Sequence, residues 1–208
     1  LGAAPDAYQS LRISPDGTKI ALAVGASGSV DIWIWDIPRK TPRKLTTFGN
    51  FINIYPLWTP DGKRVVFYSL GGVRGLGGAY WKSEDGIGEA ELLGSKPDKL
   101  VLPWSFSRDG KIAAIYENPL TSLSGDIGMM SMEGNREIKE LLHDKHGELE
   151  PQISPDGRWV AYQSNESGQG EIYVRPFPDV DKGRETVSTN GGESPLWSTD
   201  SRELYYWS

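Results

Sequence analysis

The chain has 208 residues, enough for one large domain or two small ones with a buried core. Its 22 basic and 28 acidic residues give a net charge of -6, whereas proteins that bind the phosphate backbone of nucleic acids are usually basic. There are no cysteines, which excludes disulfides and thiolate sites, and no apolar run approaches the ~20 residues of a membrane span. We therefore expect no nucleic-acid partner and no membrane insertion. Because the chain begins at Leu1, we expect it to be a piece of a longer protein.

A four-residue turn motif recurs along the chain at intervals of 44 to 48 residues. Its copies are Ser14–Gly17, Thr59–Gly62, Ser107–Gly110, Ser154–Gly157 and a variant, Ser198–Ser201. In such a turn the aspartate accepts hydrogen bonds from backbone N–H groups, and the glycine supplies a residue with positive φ. We therefore assign a structural turn role to Asp16, Gly17, Asp61, Gly62, Asp109, Gly110, Asp156 and Gly157. Ser201 replaces the last glycine, so it either accepts roughly 1–3 kcal/mol of strain or adopts another turn.

Short β-forming segments surround every copy of the motif. The first and second strands of the repeats are predicted at residues 11–13 and 20–22, 56–58 and 65–67, 104–106 and 113–115, 151–153 and 160–162, and 195–197 and 204–206. Third strands are predicted at 31–35, 79–81, 126–129 and 171–174, and fourth strands at 44–46, 91–93, 140–142 and 185–187. Arg136–Leu142 also has a helical spacing of apolar residues, but its place in the repeat favours a strand.

Four strands in every ~46 residues are typical of the blades of a β-propeller. The predicted fold is therefore all-β, a β-propeller with about four and a half four-stranded blades, spanning residues 1–208 as a single domain or a fragment of one. The blades run approximately over residues 9–48, 49–94, 95–143 and 144–190, with a partial blade at 191–208. Tryptophans recur on equivalent strands and should pack between blades: Trp33, Trp35, Trp58, Trp81, Trp104 and Trp197.

The repeats carry a family resemblance. The whole chain resembles the PD40 or TolB-like family of WD40-like β-propellers, whose inner-strand turn is written Ser-Pro-Asp-Gly, as at Ser154–Gly157. Residues 153–178, and Tyr80-Trp81-Lys82, are also similar to the propellers that follow the kinase domain in bacterial Hanks-type serine/threonine kinases. The resemblance implies a bacterial repeat protein that is periplasmic or extracytoplasmic, although the sequence itself leaves the compartment open. It also implies ligand-binding loops at residues 49–55, 69–78, 95–103, 143–150 and 190–194.

The sequence offers little that is typical of a catalytic centre. Gly25–Ser29 lacks the final glycine of a hydrolase nucleophile elbow, and the glycine-rich segment at residues 71–78 lacks the lysine and the following helix of a phosphate-binding loop. We therefore predict no catalytic residue and no cofactor.

The candidate ligand-binding residues lie in the predicted loops. His143 and His146, with Glu148 and Glu150 close by, could supply the nitrogen and oxygen ligands of a zinc site. We favour the alternative, a solvated loop between two strands, and predict no bound metal. These four residues nevertheless stay candidates for binding a ligand, as does Tyr55. Arg74 is a further candidate, because its guanidinium could hold an anionic group.

We expect a non-catalytic module that binds a ligand or a protein, such as a sensor or interaction domain of a larger signalling protein. Two alternatives stay open: the gating propeller of an α/β-hydrolase related to prolyl oligopeptidase, and a free-standing periplasmic scaffold like TolB. The flanks of the first and last blades leave strand surfaces uncovered, which predicts self-association through open blade edges. The sequence does not name the ligand.

Overall fold

A computed structural model of the chain describes residues 7–26, 28–47, 51–71, 77–119, 121 and 124–208. Their regular secondary structure is almost entirely β-strand, with one short 3-10 helix at Val180–Lys182, so the all-β prediction is confirmed. The chain divides into two compact units, Leu1–Pro97 and Asp98–Ser208, and each is described by itself below. The candidate Arg74 lies outside the described residues.

The first unit contains two antiparallel blades. The first blade consists of β1 (Tyr8–Ile13), β2 (Lys19–Ala26), β3 (Ser29–Asp36) and β4 (Thr41–Lys44). The second consists of β5 (Ile52–Trp58), β6 (Arg64–Leu70), β7 (Gly78–Ser83) and β8 (Glu91–Gly94). Strands pair in chain order within each blade, and a parallel bridge between Val30 and Ile52 joins the two blades.

The second unit repeats this plan. The third blade consists of β9 (Lys99–Phe106), β10 (Ile112–Pro119), β11 (Asp126–Ser131) and β12 (Ile138–Leu142). The fourth consists of β13 (Glu148–Ile153), β14 (Trp159–Ser164), β15 (Glu171–Pro176) and β16 (Glu185–Thr186). A two-stranded sheet follows, formed by β17 (Glu193–Trp197) and β18 (Leu204–Trp207).

The core of each unit forms where neighbouring sheets pack face to face. In the four blades most residues of the second and third strands are buried, whereas β18, the second strand of the last sheet, is largely exposed. In the first unit the rings of Phe67 and Tyr80 stack with centroids 6.3 Å apart. In the second unit Tyr162 and Tyr173 stack at 5.8 Å. The aliphatic side chains around these rings are fully buried: Ile32, Val65, Ile127 and Val160.

The turn motif has one geometry in all five copies. In the first copy the Ser14 hydroxyl donates to Asp16 at 2.6 Å, the Thr18 backbone N–H donates to the same carboxylate at 3.0 Å, and Gly17 has φ +71°. The Ser14 hydroxyl also accepts the Lys19 N–H at 2.9 Å, which ties the turn to the start of β2. The aspartates accept the hydrogen bonds, and the glycines adopt the positive φ, that the motif predicts. The role of the serine was missed, although Ser or Thr occupies this position in every copy.

Ser201 adopts φ +62° and therefore accepts the strain of the turn instead of changing it. A compensating contact explains why serine is found here, since its hydroxyl accepts the Asp156 backbone N–H at 2.9 Å. The last turn is thereby bound to the turn of the preceding blade.

The structure differs from the sequence predictions at the end of the first blade's fourth strand and in the packing of the tryptophans. The fourth strand of the first blade was predicted at residues 44–46 but ends at Lys44, because the Leu45 and Thr46 N–H groups both turn back to the Ile32 carbonyl. The ambiguous segment before Leu142 is a strand, as predicted. Packing between blades is seen for Trp58, which is buried in the cluster shared by the first two blades, whereas Trp35 is buried against Ile20 and Leu22 of its own blade. Trp81 is half-buried and donates to Glu91 of its own blade at 2.8 Å.

Candidate functional site

Two of the predicted site residues meet at one end of the third blade. His143 follows β12, Glu148 begins β13, and both approach Asp126, the first residue of β11. The strands themselves create this proximity, since the Glu148 backbone N–H donates to the Gly125 carbonyl at 3.0 Å. We call this group of side chains, with Lys99 and Asp144, the acidic end of the second unit.

Asp126 is the centre of the acidic end. One of its carboxylate oxygens lies 2.9 Å from His143 Nδ1, and the other lies 3.3 Å from Lys99 Nζ. Lys99 also lies 3.8 Å from the carboxylate of Glu117, whose side chain is fully buried. One lysine is thus shared between two carboxylates, and both of its partners are shielded from water.

Glu148 is the unusual member of the group. Its side chain is only 3% exposed, and within the described part of the chain its Oε2 atom has no hydrogen-bond partner. Burial, and after it the negative charges of Asp144 and Asp126, raises the pKa of this carboxyl to about 7. A hydrogen bond from the Asp144 backbone N–H opposes these effects. The carboxyl group is therefore close to half-protonated at neutral pH.

His143 occupies a structural position of the repeat. In the first blade the Thr46 hydroxyl accepts the Ile32 N–H at 3.0 Å and donates to Asp31 at 2.7 Å. In the fourth blade the Ser188 hydroxyl accepts the Ile172 N–H at 2.8 Å and donates to Glu171. His143 and Asp126 form the corresponding pair in the third blade. These bridges fasten the end of the fourth strand to the start of the third.

The sequence predictions missed this bridge, but a signal for it exists. An acidic residue lies within the first three residues of three of the third strands, and a hydroxyl or imidazole side chain follows the matching fourth strand. When the repeats are aligned, this pattern pairs His143 with Asp126 and so predicts a structural contact for the histidine instead of a ligand-binding role.

Two of the other predicted residues lie on strands, not in loops as expected. Tyr55 lies in β5 and Glu150 in β13, each at a register shift of its strand pair and each with φ +55°. Ser194 repeats this conformation in β17. The first strands begin earlier than predicted because a β-bulge lets pairing resume beyond the irregular residue. In all three cases the next residue is proline, which lacks an N–H and is tolerated inside strands mainly at bulges.

The structure brings His143 and Glu148 together, while Tyr55 lies in the other unit. His146 is half-buried in the loop between them, and the next residue, Gly147, donates its N–H to Asn165 at 3.0 Å. Among the residues that the structure describes, no three His, Asp or Glu side chains are grouped closely enough to hold a metal ion. In the same residues no helix has the length and apolar character that crossing a membrane requires.

The carboxyl groups of the acidic end can take up and release a proton or bind a cation. Carboxylates that repel one another in a shielded position favour either a proton or a cation from a ligand. Lys99 and His143 contact Asp126, and Arg175 lies 3.9 Å from the Asp144 carboxylate, whereas in the described part of the chain the Glu148 Oε2 atom has no hydrogen-bond partner.

Two curated proteins are similar to the chain in sequence. An uncharacterized peptidase, YuxL, from Bacillus subtilis is 28% identical over 156 residues, which are 74% of this chain and 21% of that protein. A TolB homolog from Chlorobium chlorochromatii is 28% identical over 149 residues, which are 71% of this chain and 31% of that protein. The chain thus spans less than a third of either relative. No protein-family model matches it.

Solved structures agree in fold over nearly the whole chain. A TolB protein from Agrobacterium tumefaciens superposes with a TM-score of 0.79 and 22% identity, covering 98% of this chain and 70% of that one. A prolyl endopeptidase superposes with a TM-score of 0.66 and 15% identity, covering 92% of this chain and 30% of that one. With its repeated four-stranded antiparallel sheets, the chain has the TolB-like β-propeller fold.

Proposed function

We propose that the chain is a non-catalytic binding module of a larger protein, and that its acidic end receives a cationic group of the ligand, such as a lysine or arginine side chain. The observation that carries this proposal is the Glu148 carboxyl, which is buried near Asp126 and Asp144 and has one carboxylate oxygen with no hydrogen-bond partner among the described residues.

The electrostatics favour a cationic ligand. A positive group placed against Glu148 relieves its repulsion with Asp144 and Asp126, so binding stabilises the ionised carboxylate. Near pH 7 part of the Glu148 population is protonated, and binding must therefore release protons. An ordinary exposed carboxylate, ionised well below this pH, attracts the same ligand without releasing a proton.

The test is a calorimetric titration with the peptide trilysine at low ionic strength and pH 7, repeated in two buffers of different ionisation enthalpy. We expect weak binding with release of up to about half a proton for each peptide bound. Glu148→Gln should remove the proton release and weaken binding. Glu133→Gln is the matched control, because Glu133 is exposed in the turn after β11, at the opposite end of that strand from Asp126. Equal proton release by the wild type and Glu148→Gln would refute the proposal.

A second candidate function is the gating propeller of a peptidase. The likeness to YuxL, named as a peptidase, and to a prolyl endopeptidase structure favours it. In that case the acidic end binds the amino terminus or basic side chains of a peptide, and chemistry belongs to a separate domain. The parent gene distinguishes the candidates, since an α/β-hydrolase domain downstream supports gating and a kinase domain upstream supports sensing. The kinase linkage and the extracytoplasmic location stay predictions from the sequence resemblance.

A further inference from the structure

The acidic end presents its carboxylates to a ligand in different ways. Both oxygens of Asp126 already have partners, since one lies 2.9 Å from His143 Nδ1 and the other 3.3 Å from Lys99 Nζ. The Asp144 backbone N–H donates to the Glu148 carboxyl, whose Oε2 atom has no hydrogen-bond partner in the described part of the chain. Glu148 therefore offers an incoming cation a single oxygen.

A guanidinium is poorly matched to a single oxygen. It carries five N–H donors in a planar fork and binds a carboxylate best through two parallel hydrogen bonds, one to each oxygen. At Glu148 the second arm of the fork has no oxygen to meet, and a buried donor without an acceptor costs free energy. A guanidinium is less strongly hydrated than an ammonium, but this advantage is offset when most of its donors stay unpaired.

An ammonium suits such a site, and the acidic end already contains one. Lys99 Nζ lies 3.3 Å from the Asp126 carboxylate and 3.8 Å from that of Glu117, so one compact charge serves two carboxylates without a fork. An ammonium has three donors on a rotatable bond. Placed against Glu148 Oε2, it also lies near the negative charges of Asp144 and Asp126 that act on this carboxyl.

The depth of Glu148 distinguishes a lysine side chain from the amino terminus of a peptide. Glu148 is only 3% exposed, whereas the side chains of Asp144 and His143 are 57% and 61% exposed. A cation that contacts Oε2 must therefore come to lie below the protein surface. Lysine carries its charge on a flexible four-carbon stem, which can be buried while the peptide backbone stays in water. A terminal amine is attached directly to the backbone, so its burial also removes peptide groups from water.

We propose, as a step that rests on the proposed function, that Glu148 receives the ammonium of a lysine side chain in preference to a guanidinium or a peptide amino terminus. The partner is then a peptide or protein segment that presents an exposed lysine, and the aliphatic stem of this lysine extends into the acidic end.

The test compares two blocked peptides of equal charge, acetyl-trilysine amide and acetyl-triarginine amide, by calorimetric titration at low ionic strength and pH 7. We expect the lysine peptide to bind about tenfold more tightly, the factor that roughly one further unpaired donor costs, and to release more protons. Trialanine amide, whose only cation is its amino terminus, should release none. In Glu148→Gln the two blocked peptides should bind alike. Glu133→Gln, at the exposed carboxylate after β11, is the matched control and should keep the wild-type preference.

The outcomes separate this preference from the proposed function. Equal affinity and equal proton release for the lysine and arginine peptides would overturn the preference and leave the cation site standing. Proton release by trialanine amide would assign the site to an amino terminus instead. Absence of proton release with every peptide would refute the proposed function, and the preference with it.

The wild type at pH 5 provides a second measurement if circular dichroism shows that Glu148→Gln is unfolded. Because the pKa of Glu148 is about 7, the carboxyl is protonated at pH 5, and the preference for the lysine peptide should disappear. A preference that persists at pH 5, or in the folded variant, does not come from Glu148 and would overturn the proposal.

Discussion

Replacement of Glu148 by glutamine should make the protein more stable at pH 8 and leave its stability almost unchanged at pH 4.5. The pKa of this carboxyl is raised from 4.5 to about 7 in the folded chain, mainly by burial and then by the charges of Asp144 and Asp126. Below pH 4.5 the group is protonated in both the folded and the unfolded states. Between pH 4.5 and about 7 the unfolded state releases the proton while the folded state keeps it, so the wild type loses stability as the pH rises.

The size of the effect follows from the shift. A difference of one between the pKa values of the folded and unfolded states corresponds to about 1.4 kcal/mol. The free energy of unfolding of the wild type therefore falls by about 3 kcal/mol in total and levels off above pH 7. Glutamine has a similar shape and no charge, and should escape this loss. Urea unfolding of the wild type and Glu148→Gln at pH 4.5 and pH 8 measures the free-energy difference directly. Glu150→Gln, in the same strand, controls for removing a carboxylate from this end of the blade. A Glu148→Gln variant no more stable than the wild type at pH 8 would refute the reasoning.

Other predictions concern the turns, the bridge and the absence of catalysis. Hydrogen bonds from Ser14 and Thr18 lower the pKa of Asp16 to about 2, so the stability that this carboxylate adds is lost as the pH falls from 3.8 toward 2. In Asp16→Asn the urea midpoint should therefore change less with pH over this range than in the wild type. Gly157→Val should cost about 1–3 kcal/mol in thermal unfolding, because its φ of +73° strains a β-branched residue; an unchanged melting temperature would contradict this. His143→Ser should retain more stability in urea than His143→Ala, since serine fills this position in the fourth blade. The purified chain should not hydrolyse a p-nitrophenyl ester; turnover abolished by one Ser→Ala change would overturn this.

The repeat made the fold predictable from the sequence. Five copies of one turn fix where the first two strands of every blade meet, and the strands found there match the predicted segments closely. Register inside the first strands was harder to predict. Tyr55 and Glu150 were assigned to loops, because the proline after each residue was not interpreted as the mark of a bulge within a strand.

The candidate site was predictable only in part. A histidine pair and two glutamates directed attention to the segment that contains Glu148, but the sequence does not show which side chains are buried. The raised pKa of Glu148 depends on its burial and on the nearby carboxylate of Asp126. Asp126 lies 22 positions earlier in the sequence and comes near Glu148 only because the third and fourth blades pack together. Thr46 and Ser188 occupy the position of His143 in other blades, but they are hydroxyl residues, so the equivalence is not apparent from residue type. His143 was therefore interpreted as a candidate ligand-binding residue.

The most direct test of the proposed binding site is a carbon-13 NMR titration of the Glu148 side-chain carboxyl, with and without trilysine. We predict a pKa of about 7 in the free protein, which falls when the peptide is present because the cation stabilises the carboxylate. A pKa near 4.5 that the peptide leaves unchanged would contradict the account.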